Sequence, residues 1–472
     1  NDEQSTLPYN INFVQKQKKK HGTHPVHPIN FDDFNFRVSY NTEKTISHHS
    51  GIVKSILSKW SDSRKIFRLL SRSTFMHPKF PFKIDCSIVK SSRKEHHKLI
   101  PSFTISESEL FENPESFEIE IEIDNKAIIE KDMSSKEVEQ SLRNMIKIIL
   151  SGLQQTNFPV SYIEQDNVLH NYMELIHGKK ADYGRIYPKH FIGPSSYTLQ
   201  MENIIKNSID NGAVSIRTPY TVTDKADGAR KMLFISNNGK IYLIDTNMNI
   251  QFTGTVTKET KLFMTLFDGE LIPQNKHGKF INLYAAFDIY FMAGKDVRNK
   301  SFVKYEIEND ANGADDKDDK ASKKDTATYR LNLLNNCISA IKHVSVIDGG
   351  IPPMRIEAKV FYISKELPIK DRSIENRSIF KACEKVIEKI NGQLMEYETD
   401  GLIFTPTTAA VGANTPDEKS KNFKVTWDLS FKWKPPQFNT IDFLVSTKKD
   451  ETGNEVVNTL FEDGISTTHT DQ

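Results

Sequence analysis

The sequence predicts an α+β protein of several domains, and three observations carry that expectation. The 472 residues leave room for roughly two to four separate cores. Short strand-like runs occur in both halves of the chain, and two helices with clear end signals stand among them. Lys plus Arg number 63 against 62 Asp plus Glu, a net charge of +1, so any basic surface must be local. The three cysteines, Cys86, Cys337 and Cys383, stand far apart without C-x-x-C spacing, which argues against a disulfide framework or a zinc site and for a reducing, intracellular setting. No apolar run approaches the ~20 residues of a membrane span, and the polar N-terminus has no signal-peptide core.

The first 30 or so residues, with the run Lys16-Gln17-Lys18-Lys19-Lys20, read as an irregular solvated tail. From Asn35 to Asp124 the pattern is short β runs, among them Phe36–Tyr40 and Phe82–Val89. A helix follows: Ser134 and Glu137 make a capping box, Val138, Leu142, Met145, Ile146 and Ile149 form its stripe, and Gly152 is placed at its C-cap. After a mixed stretch from Asn157 to Lys189, strands resume at Lys231–Ile235 and Ile241–Asp245, joined by the hairpin signal Asn237-Asn238-Gly239. Glu306 to Thr328 holds almost no large apolar residue and reads as a disordered insertion. A second helix at Ser378–Ile390 carries Ile379, Phe380, Cys383, Val386, Ile387 and Ile390 on one face and ends at Gly392.

Four short segments carry the chemistry: KADGAR at Lys225–Arg230, FDGE at Phe267–Glu270, DGLIF at Asp400–Phe404 and KWKPP at Lys432–Pro436. K-x-D-G alone is weak, but the ordered set is far less probable by chance. Lys225 is the candidate nucleophile. An amine with a reference pKa of about 10.4 attacks only where its protonated form is disfavoured, and the cations Arg230, Lys432 and Lys434 are candidates both for that and for holding a phosphate. Asp227-Gly228 is compatible with a tight turn that lets backbone approach a ligand. Strand alternation puts Lys432 and Lys434 on one face and Trp433 on the other.

From about Gly193 to Val445 the ordered segments resemble the covalent nucleotidyltransferases, the superfamily of mRNA capping guanylyltransferases and ATP-dependent polynucleotide ligases. The resemblance implies that Lys225 attacks the nucleotide α-phosphate, expels pyrophosphate and forms a phosphoramidate. It implies nucleotide contacts for Asp227, Gly228, Arg230, Glu270, Lys432 and Lys434, a base stacked on Phe287, and Asp400 beside a magnesium or manganese ion. The stretch Phe431–Phe443 is similar to capping enzymes of large DNA viruses, where it leads into an OB-fold lid; GTP is then the substrate nucleotide.

Upstream, Glu118-Ile119-Glu120-Ile121-Glu122 would align three carboxylates on one strand face, an arrangement that repels itself unless cations compensate. Arg37 and Ser39 with Glu43, then Arg68 and Arg72, then Lys83 with Asp85 and Lys90, resemble strands of the triphosphate tunnel metalloenzymes. These line a β-barrel with basic residues that face a polyphosphate. That resemblance implies metal ligation by Glu118, Glu120 and Glu122, triphosphate contacts from Arg37, Arg68, Arg72, Lys83 and Lys90, and removal of the γ-phosphate from triphosphate-ended RNA. The family's other E-x-E strand finds no match between Asn1 and Asn35, where Asp32-Asp33 point to opposite faces, and the expectation is that it lies beyond the start of this chain.

The expected organisation is therefore a tunnel triphosphatase domain at 1–158, a guanylyltransferase domain at 159–437 and the beginning of an OB fold at 438–472. Diphosphate- or triphosphate-ended RNA is the expected partner, with a methyltransferase domain or partner downstream and a cytoplasmic place of action, in a viral factory or virion for a virus. Two alternatives stay open on the residues: a ligase that charges Lys225 with AMP, and a nucleotide- or RNA-binding fragment without chemistry.

Overall fold

The computed structural model describes residues 11–96, 98–178, 184–205, 214–217, 219–304, 329–363, 379–415, 418–438, 449, 458–462 and 465–469. It is a mixed α+β structure. The polar stretch 306–328 lies outside these residues, as does most of 438–472, whose described part includes the paired strands Asn458–Glu462 and Ile465–His469.

In the N-terminal third, strand Phe82–Ser91 pairs antiparallel with Arg68–Met76 on one side and Ser116–Ile123 on the other. Period-two alternation gives this sheet one face of Arg68, Arg72, Asp85, Glu118, Glu120 and Glu122 and an opposite face with Ile84, Ile88, Phe117 and Ile119. Strand pairing among the described residues traces this three-stranded sheet and separate two-stranded ribbons, not a closed barrel. The expectation of an irregular N-terminus is corrected here: Phe13–Lys18 is a strand, antiparallel to Asn41–Ile46. Its side chains, FVQKQK, alternate too little in polarity to announce a strand, and cross-strand pairing supplies the order instead.

The helix Ser135–Gln154 starts at Ser134 with both halves of the capping box formed. Gly152 is not its C-cap, because the helix runs two residues further and Gln155 takes the left-handed conformation at φ 52°. A second helix, Tyr162–His177, occupies the stretch read as mixed. The Ser161 hydroxyl accepts from the Glu164 amide, and Val168, Tyr172, Met173 and Ile176 are buried against the sheet that follows.

Two antiparallel-rich sheets build the rest. The first runs Ser195–Thr198, Thr426–Trp433, Thr399–Pro406, Tyr220–Ala226, Tyr362–Ile363. The helix Ile379–Asn391 packs Ile379, Ala382, Cys383 and Val386 onto it, in one core with Val222, Leu402 and Phe404. The second sheet contains Phe280–Met292, Thr265–Gln274, Ala229–Ile235, Lys240–Asp245 and Ile250–Val256 in that order. Gly239, at φ +81°, makes the turn between Ala229–Ile235 and Lys240–Asp245. The chain passes from one sheet to the other through Asp227-Gly228, so the strand ends bearing Lys225 and Arg230 meet at a corner. The three cysteines are free, and no described helix is long and apolar enough to cross a membrane.

Gly254 ties the segment that follows the helix Ser135–Gln154 to this second sheet. At φ +75° it lets the ring of Phe158 lie flat on the strand, and an added Cβ would stand 2.3 Å from Phe158 Cδ2. Gly254→Ala should therefore lower unfolding stability by about 2 kcal/mol or more, from overpacking and a left-handed backbone together. Denaturant titration checks this; an unchanged midpoint would contradict the contact.

Candidate active site

Lys225 lies next to the corner on strand Tyr220–Ala226, directly opposite Gly401 of the neighbouring strand Thr399–Pro406. Its Nζ donates to Asp400 Oδ1 at 2.7 Å, and Lys434 Nζ meets Asp400 Oδ2 at 2.7 Å, so one carboxylate holds two ammonium groups. Burial pushes the Asp400 carboxyl up, but hydrogen bonds and charge from the two lysines outweigh that and hold it below the ordinary range. Beside the candidate cations Arg230, Lys432 and Lys434, the direct partner of Lys225 is thus an anion.

Gly401 makes this possible. At φ +149° its missing side chain would stand 1.9 Å from the carbonyl oxygen of Trp433, so only glycine lets the DGLIF and KWKPP strands close side by side. Lys432 lines the cavity, while Trp433 packs from the other face into the core of the first sheet. Asp227 and Gly228 form the exposed turn, and the Asp227 amide donates to the Glu398 carbonyl at 2.9 Å.

A cavity of about 240 Å³ opens between the sheets, and Lys225, Arg230, Glu270, Phe287, Lys359 and Lys432 are among its lining residues. Arg230 is held by Asp268, at 2.5 Å and 3.1 Å from its two oxygens, and by the Pro194 carbonyl at 2.6 Å. Asp268 is wholly buried and also accepts from the Tyr290 hydroxyl. The Arg230 guanidinium sits 5.6 Å from the ring centre of Phe287, which keeps that aromatic face at the cavity wall. Glu270 differs from these paired groups: its Oε2 is buried without a hydrogen-bond partner. Burial raises its pKa, opposed by the charges of Lys359, Lys225 and Arg230. An orphaned carboxylate oxygen in a lined cavity fits a ligand that brings hydroxyl donors, such as a ribose.

Two contributors escaped sequence reasoning. Asp268 stood inside the FDGE segment, yet its role as the arginine's anchor needed the cross-strand register Arg230↔Glu270 to be seen. Lys359, buried and bound to Asp224 at 3.0 Å to Oδ2 and 2.6 Å to its carbonyl, follows the strand Arg355–Ala358 and had no motif signal.

In the N-terminal sheet, Asp85, Glu120 and Glu122 bring carboxylate oxygens within 4.8 Å of one another. Arg72 forks between Asp85 at 2.8 Å and Glu120 at 2.9 Å, and Arg68 holds Glu118 at 2.6 Å. Glu118 is therefore set apart from the acidic trio by its own arginine. Lys83 shares the face of Asp85, whereas Lys90 points the other way and donates to the Phe111 carbonyl at 3.2 Å. Arg37 lies on a separate ribbon, Ile29–Phe31 with Phe36–Val38.

A corner between two sheets, with a lysine, a carboxylate bridge and an aromatic wall around one cavity, defines a nucleotidyltransferase-type catalytic core. Residues 179–312 match the family described as mRNA capping enzyme, catalytic domain. It is similar to a probable mRNA-capping enzyme of Acanthamoeba polyphaga mimivirus, 26% identical over 73% of this chain and 27% of that protein. It is also similar to the mRNA-capping enzyme of African swine fever virus (isolate Pig/Kenya/KEN-50/1950), 22% identical over 89% of this chain and 40% of the other. The mRNA-capping enzyme of Danio rerio is 24% identical over 49% of this chain and 31% of that protein. The chain thus spans well under half the length of these relatives. A solved structure titled "Pmar-Lig_Pre." aligns with 59% of this chain and 56% of its own at 12% identity, with a TM-score of 0.28, too low to bear on the fold.

Because Glu270 has its pKa raised, its contribution to stability is present below the unfolded carboxylate value of about 4.3 and is lost as pH rises through the folded value. Glu270→Gln should consequently be more stable than the parent at pH 7, with the advantage vanishing near pH 4, while nucleotide binding weakens. Paired pH-stability curves check the sign; a less stable variant at pH 7 would contradict it.

Proposed function

We propose that this chain performs mRNA 5′ capping: Lys225 takes GMP from GTP and passes it to diphosphate-ended RNA. The observation that carries the reading is the Lys225–Asp400–Lys434 bridge at the mouth of a cavity walled by Arg230, Glu270 and Phe287. Lys225 must shed one proton before attack, and Asp400 at 2.7 Å aims the nitrogen. Its lone pair forms the P–N bond to the α-phosphorus as the bond to the β-phosphate oxygen breaks and pyrophosphate leaves. In the second half-reaction an oxygen of the RNA 5′-diphosphate attacks the same phosphorus, the P–N bond breaks, and Lys225 recovers its proton. Lys432 and Lys434 hold phosphate oxygens, Phe287 faces the base, and the free oxygen of Glu270 accepts from ribose hydroxyls. A magnesium or manganese ion, when bound, neutralises charge on the phosphate oxygens, and Asp400 is the carboxylate placed to hold it once a lysine turns to phosphate.

The N-terminal sheet is the proposed RNA triphosphatase half, within a division at 1–158, 159–437 and 438–472. Asp85, Glu120 and Glu122 form an oxygen-only donor set that suits a hard divalent ion. Arg72, paired with Asp85 and Glu120, and Arg68, paired with Glu118, are the cations a triphosphate would draw away. Cytoplasmic action and a methyltransferase acting on the capped product belong to the same proposal, in keeping with the capping enzymes of large DNA viruses.

Incubation with α-labelled GTP and a divalent metal should leave label on the denatured protein, whereas labelled ATP should not. Lys225→Ala should lose the label entirely while keeping its unfolding midpoint. Labelling by ATP in place of GTP would sink the capping assignment in favour of a ligase. Glu120→Ala should reduce metal-dependent phosphate release from triphosphate-ended RNA by about tenfold or more, the scale of losing a group that supports a metal site, Glu118→Ala should reduce it by releasing Arg68, and both should leave guanylylation intact. Parallel loss of both activities would contradict two separate sites.

A further inference from the structure

A net charge of +1 requires that any nucleic-acid surface be concentrated somewhere. Two chain segments run side by side into the cavity wall and carry such a concentration. The first, 185–190, leads into Pro194, Ser195 and Ser196, which line the cavity; the second, 419–424, leads into Trp427 and Ser430, which line it too. They are joined where the Lys424 amide donates to the Lys189 carbonyl at 2.8 Å and the Ser195 amide to the Val425 carbonyl at 2.9 Å.

Outside the cavity this seam presents Arg185, Lys189, Lys419 and Lys424, all exposed, and none of them pairs with a carboxylate among the described residues. Two aromatic rings stand among these cations. Tyr187 is 45% exposed with Arg185 at 5.6 Å and Lys189 at 5.8 Å from its ring centre, and Phe423 is 53% exposed beside Lys424. Large aromatics left in water, interleaved with free cations, are what a sequence-tolerant single-stranded nucleic-acid track needs: stacking faces for bases and point charges for phosphates. An acidic polypeptide would use the cations but has no call on the rings.

We infer that this seam is the track for the acceptor RNA, holding single-stranded nucleotides that follow the 5′ end on Tyr187 and Phe423 and their phosphates on Lys189 and Lys424. The inference rests on the capping reading for the identity of the strand, but its binding test does not. None of these side chains reaches Lys225 or the nucleotide wall, so they serve the transfer step and not the formation of the lysine adduct.

The test uses the whole chain and a fluorescent RNA of roughly 20 nucleotides with a 5′-diphosphate, followed by anisotropy over a salt series. The Tyr187→Ala, Phe423→Ala double variant should bind about tenfold more weakly or worse, at an unchanged salt slope. The Lys189→Ala, Lys424→Ala double variant should reduce the slope of log affinity against log salt by about 1.4. Both variants should form the GMP adduct as the parent does, while transfer to RNA shows a raised KM. Affinity within about twofold of the parent in both variants would overturn the inference, as would polyglutamate competing as well as unlabelled RNA at equal charge. If the parent formed no GMP adduct, the capping reading would fall, and the affinity comparison would still decide the track.

Discussion

The Asp400 carboxylate, with an ammonium group on each oxygen, is the contact around which the catalytic half is arranged, because it fixes three strands at once. Lys225, Asp400 and Lys434 come from neighbouring strands or their ends, and the bridge forms only where those strands lie at ordinary sheet spacing with no side chain between them. Gly401 supplies that freedom, since any Cβ there would collide with the Trp433 carbonyl. The same geometry leaves Lys225, which lines the cavity, and Lys434 partly exposed, so their interaction with Asp400 can be exchanged for another without dismantling a core.

Around this bridge the other polar groups divide into those already satisfied and those left waiting. Arg230 is bound by buried Asp268, itself fixed by Tyr290; removing one member of such a buried set typically costs about 3–5 kcal/mol. That expense of desolvated charge is best understood as positioning, since it holds a guanidinium against Phe287 and at the cavity wall. Glu270 is the opposite case, a buried carboxylate with an unmet oxygen and a raised pKa, and so a local source of instability where the ligand would bind. The N-terminal sheet shows a milder form of the same arrangement, in which arginines neutralise a carboxylate row.

Much of the grouping of the candidate site was legible in the sequence because its residues sit in short segments whose local geometry does the work. Lys225, Glu270, Asp400 and Lys432 are close in sequence to the turn, the cross-strand pair or the strand alternation that places them. Asp268 and Lys359 were not legible as partners, since their roles depend on which strands become neighbours, across 38 residues for Asp268 and Arg230 and across 135 for Lys359 and Asp224. The helix Tyr162–His177 was missed because its apolar positions are diluted by polar ones, and burial on one sheet face decides it. The strand Phe13–Lys18 shows the same limit from the other side: a run of glutamines and lysines becomes ordered only through its partner Asn41–Ile46.

The most direct test of the account is the chemical identity of the covalent link formed with GTP. After reaction, digestion and mass-spectrometric mapping, the GMP should sit on the peptide containing Lys225 through a bond that is labile to acid, stable to alkali and resistant to hydroxylamine at neutral pH, as a phosphoramidate is. A GMP released by neutral hydroxylamine and mapped to the peptide containing Asp400 would make the carboxylate the nucleophile and contradict the roles assigned to the bridge.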